Sequence, residues 1–162
     1  MRIILDGMGG DNAPAAVVEG AVLASKEIEH EIQIIGQQEL IQAELAKYRY
    51  DEKKITVIDA REVISNEEAP VRAVRSKKDS SIVRGINMVK KGEGDIFISA
   101  GSTGALMAGG LFILGRIQGI DRPALASVYP IVGSIPSLLV DAGANAECKP
   151  NNLLEFGIMG NI

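Results

Sequence analysis

The sequence has no tryptophan, three phenylalanines, three tyrosines, a single cysteine and a single histidine. One cysteine, Cys148, cannot close an intrachain disulfide, and with one histidine no zinc site of the usual ligand spacing can be drawn. That combination suits a reducing, cytoplasmic setting. The scarcity of aromatics leaves no stacking platform for single-stranded nucleic acid. Positive charge is also in the minority: 17 Lys and Arg against 21 Asp and Glu give a net charge of -4, a field that disfavours nucleic acid. The longest strongly apolar stretch, 104 to 114, is far short of the roughly 20 residues of a membrane helix and reads as a buried helix. The start, MRIILDG, runs straight into a strand-like segment and lacks the pattern of a secretory signal.

What the sequence does have is glycine, 18 of them, and 46% hydrophobic residues in 162, enough for one ordinary core. The expectation is a single α/β domain over 1–162, the N-terminal part of a longer enzyme, because no capping signal beyond Gly160 precedes the end. Short β-branched runs alternate with segments of helical period, the pattern of a three-layer α/β/α fold around a mostly parallel sheet. Strands are predicted at 2–6, 32–35, 55–58, 96–99, 125–129 and 138–141, the third buried on both sides. Helices are predicted to begin at Pro14, with Val17, Ala21, Ala24 and Ile28 on one face, and over Ile41, Leu45 and Tyr48. Further helices are predicted from Pro70, over Ile82, Ile86 and Val89, after the turn at 99–104 as far as about Gly115, and from Pro150.

Three turns carry candidate chemistry. Asp6-Gly7-Met8-Gly9-Gly10-Asp11 puts carboxylates around glycines at the end of a strand, where backbone N–H groups can approach a ligand. A tight turn capped by its aspartates explains the same residues. The glycine spacing is not that of a dinucleotide fingerprint. Ser99-Ala100-Gly101-Ser102-Thr103-Gly104 joins a strand to a helix and offers N–H groups and hydroxyls to a phosphate, although Ser and Thr also serve as plain N-caps. No P-loop pattern occurs in the sequence. Val140-Asp141-Ala142-Gly143-Ala144-Asn145 repeats the arrangement of a carboxylate followed by glycine. In one parallel sheet the three strand ends would converge on one edge.

Arg72, Arg75, Lys77 and Lys78 set four positive charges within seven residues. They form either a solvated helix face or a surface for an acidic partner or a phosphate. His30, between two glutamates, reads as surface, and Cys148 has no neighbouring histidine to activate it.

Five segments, DGMGGD at 6–11, PVRAVRSKKDSS at 70–81, SAGSTGALMAGG at 99–110, GRIQGIDRPAL at 115–125 and DAGANAECKP at 141–150, resemble the phosphate:acyl-carrier-protein acyltransferase (PlsX) family over essentially the whole chain. Gly7 stands where the family usually has Ala, and Ser102 where it usually has Asn. The resemblance implies transfer of a fatty acyl group from acyl-carrier protein to inorganic phosphate. It also implies a fold akin to phosphotransacetylases and isocitrate-type dehydrogenases, no cofactor, and a cytoplasmic homodimer loosely associated with the inner membrane face. There a glycerol-phosphate acyltransferase would use the acyl phosphate. On this reading Gly9, Gly10, Ser99, Gly101, Ser102, Thr103 and Gly104 bind phosphate. Asp6, Asp11, Lys78, Asp141 and Asn145 are the candidate catalytic residues, and Arg72, Arg75 and Lys77 dock the carrier protein. The rivals are a coenzyme A-dependent small-acyl phosphotransacetylase, an isocitrate-type dehydrogenase and a truncated chain without turnover.

Overall fold

A computed structural model describes residues 1–133 and 135–161. Where one domain was expected, the contacts group into two compact units, Met1–Gly115 and Arg116–Ile162.

The first unit is built on four parallel strands, β1 (Arg2–Asp6), β2 (Glu31–Gly36), β3 (Ile55–Asp59) and β4 (Ile96–Ile98), in the order β3-β2-β1-β4. Helix α1 (Ala15–Glu27) starts behind Pro14, and α2 (Gln38–Leu45) follows β2. Both pack on one face, where Val18, Ala21, Val22, Ile41 and Leu45 close over Ile32, Ile34 and Ile55. Helix α3 (Pro70–Ser76) opens at its proline, and α4 (Ser81–Lys90) is N-capped by Ser80, whose Oγ accepts the Val83 N–H at 3.3 Å. Helix α5 (Thr103–Gly109) runs on as a π-helical turn, Gly110–Leu114, that stops at Gly115 with φ +95°. The helices α3 to α5 cover the other face, over Ile4, Ile35 and Phe97. Each side chain fully buried in these layers, such as Ile4, Ile34 or Ile35, stabilises the fold by about 1.5–3 kcal/mol.

The topology follows from handedness. From β1 the chain crosses through α1 to β2 on one face, and from β3 it returns through α3 and α4 to β4 on the other. Right-handed crossovers in opposite directions require opposite faces.

Several expectations are corrected. Of the predicted stripe Val17, Ala21, Ala24 and Ile28, only Ala21 is fully buried, the buried face of α1 being Val18, Ala21, Val22 and Ser25; Val17, Ala24 and Ile28 are half-buried and border an open groove. Strand β3 is an edge strand, and of its residues only Ile55 is buried. Lys77 and Lys78 lie beyond the end of α3, and Tyr48 beyond the end of α2. The apolar stretch 104–114 buries Ala105, Ala108 and Gly109 but leaves Phe112 and Leu114 exposed.

In the second unit β5 (Ala126–Tyr129) and β6 (Ser137–Val140) pair antiparallel, and α6 (Pro150–Gly160) begins where Asn152 Oδ1 accepts the Lys149 N–H at 3.0 Å. Asp141 therefore does not end a strand of the parallel sheet. The expectation that all three turns follow strands of one parallel sheet is corrected, because β6 belongs to a separate antiparallel pair.

Candidate active site

The chain after β1 turns onto the α1 face, and the chain after β4 turns onto the α5 face. Between neighbouring parallel strands whose connections part in this way, a crevice opens at the carboxyl ends, which is where open α/β sheets bind ligands. The turns 6–11 and 99–104 both sit at this point, as the sequence reading places them.

One hydrogen-bonded knot joins them. The Ser99 hydroxyl donates to Asp6 Oδ2 at 2.7 Å and accepts the Gly101 N–H at 3.1 Å, while the other Asp6 oxygen accepts the Met8 N–H at 3.1 Å. Asp6 is 1% exposed. The backbones are in close contact here: a Cβ on Gly9 would lie 2.6 Å from Asp6 Oδ2 and 2.8 Å from the Gly101 nitrogen, so only glycine fits. Gly10 has φ +101° and packs on Ala100. Ser102 is buried and caps α5, its Oγ accepting the Ala105 N–H at 3.3 Å. Thr103 and Gly104 begin the helix, and Gly104 abuts Pro70, which brings the start of α3 beside the start of α5. Thr103 is exposed, as is Asp11, which borders the groove along α1 with Gly9 and Gly10.

These contacts divide the labour among the candidate residues. Asp6 and Ser99 are committed to each other and hold the two turns together. Thr103, which opens α5 beside them, is exposed.

The basic segment is less uniform than its charge run suggests. Lys77 Nζ donates to the Val63 carbonyl and to Glu68 Oε1, both at 2.7 Å, and this ammonium holds the Glu68 carboxyl below its usual range. Lys78 Nζ donates to the Val74 carbonyl at 3.2 Å. The Arg75 guanidinium lies over the Phe112 ring, 5.4 Å from its centroid. Arg72 is exposed and lines a shallow cavity with Glu68 and Ser76.

In the second unit Asp141, with φ +69°, accepts the Asn145 amide at 3.0 Å on Oδ1, and Asn145 also donates to the Pro123 carbonyl at 3.1 Å. Cys148 Sγ lies 3.6 Å from Asp141 Oδ2. Loss of hydration around the sulfur, and next the Asp141 carboxylate, push this thiol up, the reverse of what a nucleophile needs. His30 is exposed. No group of three or more metal-ligating side chains occurs among the described residues.

One region escaped the sequence reading. A cavity of about 660 Å³ is lined by Gln37, Gln38, Glu39, Leu40, Asp59 and Arg61. The Gln38 N–H first, then the Arg61 guanidinium at 3.2 Å, hold Asp59 below the ordinary carboxylate range. The signal was present: Asp59 ends a strand, as Asp6 does.

Fold and site together define a parallel α/β protein with two glycine turns joined at the switch point of its sheet. The chain belongs to the family described as fatty acid synthesis protein, whose model matches residues 1–162. It is 59% identical over 162 residues to a phosphate acyltransferase of Alkaliphilus oremlandii (strain OhILAs) and 54% identical to one of Clostridioides difficile (strain 630). Each match covers 100% of this chain and 48% of the relative, so the chain spans about half the length of these curated relatives. Among solved structures, a phosphotransacetylase from Streptococcus pyogenes superposes with a TM-score of 0.69 at 25% identity, over 98% of this chain and 51% of that one.

Proposed function

We propose that this chain provides the phosphate-binding part of an acyltransferase that moves a fatty acyl group from acyl-carrier protein to inorganic phosphate, for phospholipid synthesis. The observation that carries this reading is the pair of glycine turns knotted by Ser99 and Asp6 at the sheet's switch point, in a chain whose relatives are named phosphate acyltransferases. Phosphate is itself a nucleophile, so the chemistry needs positioning more than a covalent intermediate. A phosphate oxygen attacks the thioester carbonyl, the C–O bond forms, the C–S bond breaks, and the thiolate leaves to take up a proton as the carrier's thiol. The N–H groups at Ser102 to Gly104 and the Thr103 hydroxyl hold the phosphate, with Gly9, Gly10 and Gly101 supplying the close backbone wall. Lys78 or Arg72 offsets the charge of the phosphate or of the carbonyl oxygen as it becomes an oxyanion. Asp6 acts as a positioning residue through Ser99, and Asp11 orients the reacting groups.

Arg72 and Arg75 offer positive charge to the acidic carrier protein, with Lys77 supporting them through Glu68. On the same reading the enzyme is a cytoplasmic homodimer that passes acyl phosphate to a glycerol-phosphate acyltransferase at the inner membrane face. Among the described residues no helix is long and apolar enough to cross a membrane.

The test is acyl phosphate formation from palmitoyl-carrier protein and phosphate, trapped as the hydroxamate, in the chain itself and in a fusion carrying the remaining half of the Alkaliphilus relative. In the active form, Thr103→Val should raise the phosphate requirement about tenfold. Unchanged phosphate dependence would remove the turn from the site. The structural likeness to a phosphotransacetylase favours a second reading, with a small acyl group carried on coenzyme A. Turnover of acetyl-coenzyme A in place of palmitoyl-carrier protein would select it.

A further inference from the structure

The sheet of the first unit ends, among the described residues, on one side at β4, whose outer edge has no partner. Phe97 points into the α4 face, but Ile96 and Ile98 point the other way and are 40% and 46% exposed. Their register partners on β1 are Ile3 and Leu5, and with Ile98 these form the floor of an open apolar groove of about 520 Å³. Its wall is α1, which presents Ala16, Gly20 and Ala24, and a Cβ built at Gly20 meets nothing within 4 Å. An apolar floor, a wall of small residues at intervals of about one helical turn and an unpaired parallel edge are the negative image of one supersecondary unit: a strand beside β4 and a helix laid against α1.

We infer that the β4 edge and the α1 groove form a single docking surface, and that its occupant is a parallel strand and helix from the half of the relatives' length that this chain does not span. The inference rests on the family membership and not on the proposed activity. The strand hydrogen-bonds to Ile96–Ile98, and the helix covers Ile3, Leu5 and Ile98 while its backbone approaches Gly20 closely.

The tagged chain is co-expressed with the remaining half of the Alkaliphilus oremlandii relative, and in parallel fused to it, and both are compared with the chain alone by native mass spectrometry and hydrogen exchange. The expected result is a one-to-one complex in which the amides of Ile96–Ile98 exchange at least about tenfold more slowly than in the chain alone, with the fusion showing the same protection. Gly20→Leu, which has room in the chain alone, should leave the chain's own unfolding temperature unchanged or raised. It should abolish the complex and the protection, and Ile98→Lys should do likewise. The inference is overturned by a complex or fusion without protection at Ile96–Ile98, by the same protection arising from a homodimer of the chain alone, by no association together with an unprotected fusion, or by a Gly20→Leu variant that associates as before. None of these readouts depends on turnover, so failure of the proposed activity leaves this result standing and the reverse holds too.

Discussion

Asp6 ends a strand and Asp141 follows one, and both precede small residues and glycine, yet they do different work. Asp6 is buried and binds a residue 93 positions away, on the neighbouring strand of a parallel sheet. Asp141 is half-buried, sits at φ +69° and binds Asn145 and Cys148, four and seven positions away. The same short motif fastens two distant strands in one unit and tightens a local loop in the other. A carboxylate followed by glycine therefore marks a turn, and what the turn serves depends on the sheet that the strand joins.

That comparison can be tested by four measurements. The largest effect is expected from Asp6→Ala, which strands the Ser99 hydroxyl and the Met8 N–H: about 3 kcal/mol in urea denaturation, against about 1 kcal/mol for Asp141→Ala. Equal losses would show that the two aspartates are equivalent after all. Next, Gly9→Ala drives a Cβ to 2.6 Å from Asp6 Oδ2 and should cost about 2 kcal/mol. Gly143→Ala meets no neighbour and should cost about 1 kcal/mol, through its φ of +91° alone.

A smaller effect is expected on the acid side from the strand-ending Asp59. Its folded pKa lies below the ordinary value of 3.8, so its contribution is present above that value and is lost as pH falls through the lowered one. Asp59→Asn should flatten the acid limb of the stability curve, and an unaltered limb would mean that the Gln38 and Arg61 contacts do not persist in solution. The smallest is chemical. Because the Cys148 pKa is raised, the thiol should alkylate with iodoacetamide more slowly at pH 8 than in the unfolded chain, and Asp141→Asn should recover part of the difference.

The parallel sheet was legible because its strands are short β-branched runs separated by helical periods, and β1, β2 and β4 fall within a residue or two of the runs that predicted them. The Gly-Ser-Thr-Gly turn between a strand and a helix was legible for the same local reason. What did not show was anything set by partners distant in sequence. Strand β3 has the uninterrupted apolar pattern of a central strand but stands at an edge, and a run of four residues such as Ser137–Val140 carries no mark of direction, so its antiparallel pairing with β5 was invisible. The stripe Val17, Ala24 and Ile28 has true helical spacing yet borders an open groove, because periodicity reports an apolar face and not what covers it. Ser99 was read as a phosphate ligand, whereas its hydroxyl is taken by Asp6, a pairing that no local window contains.

The bond between Ser99 and Asp6 also sets an order of events in time. The chain is made from its N-terminus, so β1, β2 and β3 can pair while β4 does not yet exist, and Asp6 must wait for a partner synthesised 93 residues later. The junction of the two glycine turns is thus a late product of folding, closed only when the returning crossover through α3 and α4 delivers β4 to the far side of β1. A nascent chain interrupted before residue 99 can carry most of the sheet and none of this junction.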